Sequence, residues 1–445
     1  MSLLFEPRDV NFNELLHQKY GKTYTQKHKW KYYHLYTLLL KKSLYSNDIW
    51  HAISSTALRD LYGRSGARGN EKWVYRLIRE DLKSWNVILY HTEQVDVTKR
   101  IARYKILDER VLSGYHLVDT VVPRRHAPPK PAPTKYAGIH GMIQQTAKKL
   151  RVDYTAALAF IEDAYAQSLS LKDKPIQWNV IQKGKWSAFR NRVVDASIYS
   201  RWLWHLYKLD RGAYGFKVDL GNTNRVFYLL TQIPSHLRKF MLLGGRHLVE
   251  IDITAAQPLL FTNMVLAYCR QQGITAIPDD VRRWKTLCEE PDPDKSLYPA
   301  LHSLMVGAQL LLDSHLRFDP LTKKAYRVRE YTKLFKAEFF AKIFFDEDKR
   351  TQMRRVFAEA FPTVSAAITH FKRGDHRNLA LALQQMEADL VVGTVCARLY
   401  AQNIRALPVH DALYVHAEHV ETVVDEIKKA FQDINLCARM KIKNM

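Results

Sequence analysis

An α+β fold in two functional units follows from three features of the sequence. Amphipathic helical patterns dominate, strands are short and few, and one proline-rich basic stretch interrupts the chain. At 445 residues the chain exceeds one small core and fits two or three domains. Apolar residues make up 47% and charged residues 25%, with 17 Gly and 16 Pro, a composition of ordered globular proteins and not of disordered or fibrous ones.

The interruption is VPRRHAPPKPAPTK, residues 122–135, which lacks apolar periodicity and, through its prolines, many backbone donors. It is read as a linker between a module at 1–121 and a larger one at 136–445. Within the first, Glu71 to Trp85 sets Trp73, Val74, Leu77, Ile78, Leu82 and Trp85 on one helical face, with Arg76, Arg79 and Lys83 off it. Two short strands follow, Val87 to Tyr90 and Ile101 to Leu107. A shorter helix and the turn-rich GRSGARGN precede it. This order over Asn47 to Leu107 resembles a winged-helix domain. The resemblance implies contact with nucleic acid through Arg76, Arg79 and Lys83, or docking on protein.

In the second module, helical periodicity marks His140 to Gln167, Val328 to Phe345 and Asn378 to Gln402. The best strands are Leu248 to Ile253 and Leu407 to Val415. Each meets an aspartate: Asp252 at the end of LVEIDI, and Asp411 at the tip of a predicted hairpin in LPVHDALYV. Two carboxylates so delivered suit a shared pair of Mg²⁺ ions, about 3.5–4 Å apart in two-metal phosphoryl transfer, and Mn²⁺ meets the same need. An aspartate at a strand end is also a common turn residue, so the pairing carries the argument.

Charge agrees. Lys plus Arg total 68 against 45 Asp plus Glu, a net +23 spread along the chain, which favours a polyanionic partner such as nucleic acid. Cys269, Cys288, Cys396 and Cys437 form no C-x-x-C pair, which argues against a disulfide framework or a structural zinc site. The N-terminus lacks a long apolar segment and no run approaches the roughly 18 residues of a membrane span. A cytoplasmic location without a membrane partner is expected.

Over residues 221–415 the blocks just described, with three more, resemble the palm and fingers of family A DNA polymerases and the related single-subunit phage-type RNA polymerases. GNTNRVFYLLTQIPSHLRKFM matches the segment before the first catalytic strand, which implies primer-template or bracing roles for Arg225 and Arg238. At Asp252 the DNA enzymes carry a Glu five places on, a barrier to the sugar 2′-hydroxyl; Gln257 stands there. KAEFFAKIFF matches the fingers helix and implies that Lys336, Phe340 and Phe344 face the incoming nucleotide. The expected Arg four places before the Lys is Thr332, with Arg329 as substitute; a rival register pairs Arg329 with Lys333 but loses both aromatics.

LQQMEADLVVGTV matches the next helix through Gln384 and Asp389. Glu387 replaces a small residue, to add a carboxylate near the metals or to face solvent. His410 and Asp411 match the His-Asp block, with Ala412 where the DNA enzymes have Glu and the RNA enzymes Ser. The resemblance implies a right-hand polymerase: a small antiparallel palm sheet, helical fingers, and a thumb from the helical segment before residue 221. It implies metal binding by Asp252 and Asp411, a primer-template and dNTP or rNTP as partners, and, with no room for an exonuclease, no proofreading. DNA synthesis of a plasmid, phage or mobile-element type leads, with a primase or small RNA polymerase as alternative. A non-catalytic replication initiator is the rival of another class; a nuclease leaves the Lys336 stripe unexplained.

Overall fold

The structure, a computed structural model, describes residues 4–45, 50–65, 72–96, 99–107, 115–118, 136–170, 196–212, 214–219, 222–308, 316–318, 325–327, 335–336, 339–345 and 351–444. They fall into two units. The first holds 4–118 with 154–170 and 196–212; the second holds 136–153 and 214–444. The expected single division differs from this, and residues 122–135 lie outside the described residues.

Unit 1 contains β1 (Leu4–Pro7), α1 (Phe12–Tyr45), β2 (His51–Ala52), α2 (Ser55–Tyr62), α3 (Val74–Ser84), β3 (Ile88–Asp96), β4 (Lys99–Ile106), β5 (Tyr115–Val118), α4 (Tyr154–Ser170) and α5 (Ala196–Asp210). Helices α4 and α5 stack through Phe160 on Trp202 and Tyr165 on Tyr199, and Trp204 packs 4.6 Å from Phe5 of β1. The helical segment expected to form a thumb therefore packs with the N-terminal elements. The expected helix His140 to Gln167 is also broken: Leu150–Val152 forms a strand paired with Met241–Leu243, and Asp153 N donates to Phe240 O. The sheet partner wins over local periodicity there.

Strands β2, β4 and β3 form one antiparallel sheet in that order, with α2 and α3 between β2 and β3 in sequence. Ser54 caps α2 by accepting from Ala57 N, and Gly63 ends it at φ 69°, a conformation glycine adopts without a Cβ clash. Buried Lys31 donates at 2.7 Å to Tyr62 O at the same end, which satisfies a terminal carbonyl with a cation.

Helix α3 buries Val74, Ile78 and Leu82, as its periodicity predicts. On the same face lies Asp81, 1% exposed, which accepts hydrogen bonds from Lys19 (2.6 Å), Tyr20 (3.0 Å) and Tyr32. One carboxylate so joins α3 to both sides of the α1 bend at Gly21.

Unit 2 is built on β6 (Val249–Ile253), β7 (Leu407–Val409), β8 (Ala412–Val415) and β9 (Met440–Asn444), in the sheet order β7-β8-β6-β9. Val249, Ile251 and Ile253 are buried, which sends Glu250 and Asp252 to the opposite face. Around the sheet stand α6 (Ala256–Gln271), α7 (Asp279–Glu289), α8 (Leu297–Gly307), α9 (Gln352–Ala360), α10 (Pro362–Phe371), α11 (Arg377–Ala388) and α12 (Val420–Gln432). Helix α6 packs on α7, α10 and α11, and α12 packs on β6.

Helix α11 continues through the π-helical segment Asp389–Cys396 to Ala401. Contrary to expectation, this 25-residue run is long and apolar enough to pass for a membrane span, yet half of its most apolar window is buried inside the protein, which fits a core helix. Gly393 is needed at its surface: a Cβ there would lie 2.6 Å from the Tyr136 ring, whose hydroxyl donates to Asp389 at 2.8 Å.

Replacing Asp81 with Ala strands three donors against a desolvated site and is expected to destabilise unit 1 by about 3 kcal/mol. Urea unfolding followed by circular dichroism checks this, with Lys19→Ala, whose side chain is 46% exposed, expected to cost much less.

Candidate active site

Asp252 and Asp411 meet because β6 and β8 pair in one register. Asp252 lies opposite Ala412, and Ile253 N donates to Asp411 O at 3.0 Å. The turn between β7 and β8 holds His410 at φ 58° and so presents Asp411 at the hairpin tip, as the sequence predicts. The Asp252 side chain is 35% exposed, and Lys443 of β9 lies 3.7 Å from it while also bonding Glu250.

Burial pushes the Asp411 carboxyl up to about 7, and the charges of Glu387 and Asp252 push the same way against Lys336. Crowded acidic oxygens of this kind are what a hard divalent cation neutralises; Asp252 and Asp411 fit that group. Burial, with Arg225 and Arg238 nearby, pushes His410 down to about 4. Its imidazole is therefore neutral at pH 7, and it packs 6.2 Å from Phe227.

Glu387 does not face solvent. It is 2% exposed, accepting from Arg225 at 2.6 Å on one oxygen and from Gln257 at 3.1 Å on the other. Burial raises its carboxyl while Arg225 and Gln257 lower it. With both oxygens engaged it contributes charge to the site. Arg238 donates to the Tyr414 hydroxyl at 3.2 Å, Tyr414 donates to Glu250, and Tyr228 donates to Pro408 O at 2.8 Å. Gln384 is half-buried on α11.

Lys336, Phe340 and Phe344 form a line of contacts, with the Phe340 and Phe344 rings 5.4 Å apart, in a segment whose residues 340–345 form a π-helix. Phe344 is fully buried against Phe261 (5.3 Å), Phe339 (5.7 Å) and Trp284 (6.2 Å), which removes it from a nucleotide face. The carbonyls of Lys342 and Ile343 in this segment accept from Arg354, and that of Ile343 also from Lys372. Lys336 is exposed, its ammonium 5.1 Å from the Tyr298 ring and 6.0 Å from half-buried Phe340. Arg329, Thr332 and Lys333 lie outside the described residues.

Two features escaped the sequence reading. Tyr298, on the apolar α8, carries no motif that would mark it. His416, Glu418 and His419 bring ligand atoms within 4.8 Å of one another. There Arg246 takes the cation's place, bonding Glu418 at 2.9 Å and His416 at 3.0 Å.

No family model matches the chain, and no curated protein matches it. Among solved structures it is similar to the POL domain of Pol1 from M. smegmatis in complex with DNA primer-template and dNTP, at 13% identity over 69% of this chain and 67% of that one, with a TM-score of 0.30. A likeness at that level bears no weight, and function is argued from the site.

The raised Asp411 carboxyl makes metal-free stability depend on pH. The folded state holds a proton that the unfolded chain, near 3.9, has released, so stability falls as pH rises from about 4 to about 7. Asp411→Asn is expected to approach the native protein below about pH 3 and to exceed it by about 4 kcal/mol above pH 7. Thermal melts across pH in EDTA check this.

Proposed function

We propose that unit 2 is a template-directed nucleotidyltransferase, a DNA polymerase without proofreading, that joins nucleotides by two-metal phosphoryl transfer. The observation that carries the reading is the convergence of Asp252, on β6, with Asp411, in the turn between β7 and β8, where the charges of Asp252 and Lys336 both act on Asp411. Mg²⁺ held by these carboxylates would supply charge neutralisation for the attacking and leaving oxygens. Lys336, exposed and without an ion pair among the described residues, offers a point charge for a triphosphate. In this reading Arg225 and Arg238, held by Glu387 and Tyr414, would meet primer-template phosphates, and neutral His410 would order the primer end. Gln257, whose amide is tied to Glu387 at 3.1 Å, leaves the choice of sugar open and so supports a second reading in which ribonucleotides are used.

Unit 1 is proposed as a winged-helix-like module that recruits the enzyme to duplex DNA. The β2-α2-α3-β3-β4 order with the sheet order β2-β4-β3 supports this, as do exposed Arg76 and Lys83 on α3. Arg79 has a different part: its guanidinium lies 4.1 Å over the Tyr90 ring and 2.9 Å from Glu80, which suits bracing α3 on β3.

Primer extension on a short primed template with Mg²⁺ and either dNTPs or rNTPs tests the first proposal. The native protein is expected to extend, and Asp252→Ala and Asp411→Ala to lose at least about 1000-fold, as removal of transition-state charge stabilisation does. Absence of native extension, or equal extension by the variants, defeats the polymerase reading in favour of a non-catalytic initiator.

For unit 1, Arg76→Ala and Lys83→Ala are each expected to weaken duplex binding and reduce the salt slope by about one. Arg79→Ala is expected to lower the melting temperature first. Fluorescence anisotropy across salt concentrations separates the two effects.

A further inference from the structure

Tyr298 is a site neighbour that the proposed reaction leaves without a part. It is the second residue of α8 and 7% exposed. Its ring is fixed between two groups already placed at the site: Phe340 at 6.1 Å between centroids, and the Lys336 ammonium 5.1 Å from the ring centre. Its hydroxyl is fully buried and has no hydrogen-bond partner among the described residues. The Asp411 charge reaches it, since burial, then Cys288, then Asp411 hold the phenol well above its ordinary range. The group is thus a neutral O–H donor beside an ammonium and near the paired carboxylates.

A buried hydroxyl without a partner destabilises a fold, and a Phe would fill the same space without that cost. Such a donor is explained where a ligand completes it. The ligand must offer an acceptor, and the ammonium beside it selects an anionic one. Among the described residues no carboxylate fills this place, Asp411 included. Phosphate oxygens meet both conditions, since they accept from neutral donors and attract the cation.

We propose that Tyr298 is a substrate-binding residue whose hydroxyl donates to a phosphate oxygen of the incoming nucleoside triphosphate, side by side with Lys336. The proposal rests on the polymerase reading for the identity of the ligand, but it concerns binding and not the chemical step. It also adds a ring from α8 beside Phe340, where the resemblance implies Phe340 and Phe344. The aromatic and the lysine then come from different segments of the chain, with the ring acting both as a surface for the ammonium and as the carrier of a second donor.

The test is equilibrium binding of dATP, deoxyadenosine and inorganic tripolyphosphate to the full chain in Ca²⁺, for the native protein, Tyr298→Phe and Lys336→Ala. Tyr298→Phe is expected to melt at the native temperature or above it, because it removes an unsatisfied buried group. It is expected to bind dATP and tripolyphosphate about 10- to 100-fold more weakly, the loss of one hydrogen bond to a charged group. Deoxyadenosine binding is expected to stay unchanged by either variant. Native-like dATP binding by Tyr298→Phe overturns the proposal, as does a loss confined to deoxyadenosine and dATP with tripolyphosphate unaffected. The outcomes separate from the polymerase reading. Extension by the native protein with full dATP affinity in Tyr298→Phe sinks this proposal alone. Weakened binding in the variant without extension by the native protein sinks the polymerase reading alone. A native protein that binds neither dATP nor tripolyphosphate sinks both.

Discussion

The pairing of β6 with β8 is the constraint on which the candidate site depends. Side chains alternate along a strand, so a slip of one residue would send Asp252 into the apolar layer and bring Ile251 or Ile253 into the open. Several contacts hold the register. Ile253 N bonds the Asp411 carbonyl, Tyr228 bonds the Pro408 carbonyl in β7, and β9 pairs with the other edge of β6. The carboxylates are thereby positioned by backbone geometry before any side-chain rotamer is chosen. Their mutual repulsion is tolerated because the buried isoleucines and valine fix where the strand can lie.

Charge around the hairpin is arranged as a set of partial neutralisations. Glu387 engages Arg225, Tyr414 engages Glu250 and Arg238, and Lys443 lies between Glu250 and Asp252. Asp411 has no ion pair among the described residues, and burial pushes its carboxyl up to about 7. Glu387 is instructive here. Its carboxylate stands on α11 and the Gln257 amide on α6, joined by a 3.1 Å hydrogen bond. Breaking the Arg225 pair would leave a nearly inaccessible carboxylate unpaired, a costlier state than keeping the pair.

Much of this was legible in the sequence because it is local. The alternation in VEIDI, the hairpin around His410 and Asp411, and the apolar face of α3 all follow from periodicities of two and 3.6 residues. What escaped was non-local. The break of the expected helix at Leu150–Val152 needs its partner strand at Met241–Leu243, and the packing of α4 and α5 in unit 1 needs Phe5 and Tyr115, far away in the chain. Asp81 reads as a polar residue on an apolar face until Lys19, Tyr20 and Tyr32 supply its partners. Glu387 had two readings, near the metals or in solvent, and only the positions of Arg225 and Gln257 separate them.

The segment Phe340–Phe345 shows how a local change of helical pitch is accommodated. The i→i+5 bonding of a π turn widens the backbone, so its carbonyls and side chains meet new neighbours. Across Phe340–Phe345 the wider π turn rotates Phe344 inward, where Phe261, Trp284 and Phe339 enclose it, and it exposes carbonyls that Arg354 and Lys372 then satisfy. Those two cations make the wide turn stable, since without them the carbonyls of Lys342 and Ile343 would be buried acceptors short of donors. Phe340 touches both Phe344 at 5.4 Å and Tyr298 of α8 at 6.1 Å between ring centroids, and the Lys336 ammonium lies 5.1 Å from the Tyr298 ring and 6.0 Å from that of Phe340. Burial, and not spacing along the helix, separates Phe344 from the half-buried Phe340 and the exposed lysine.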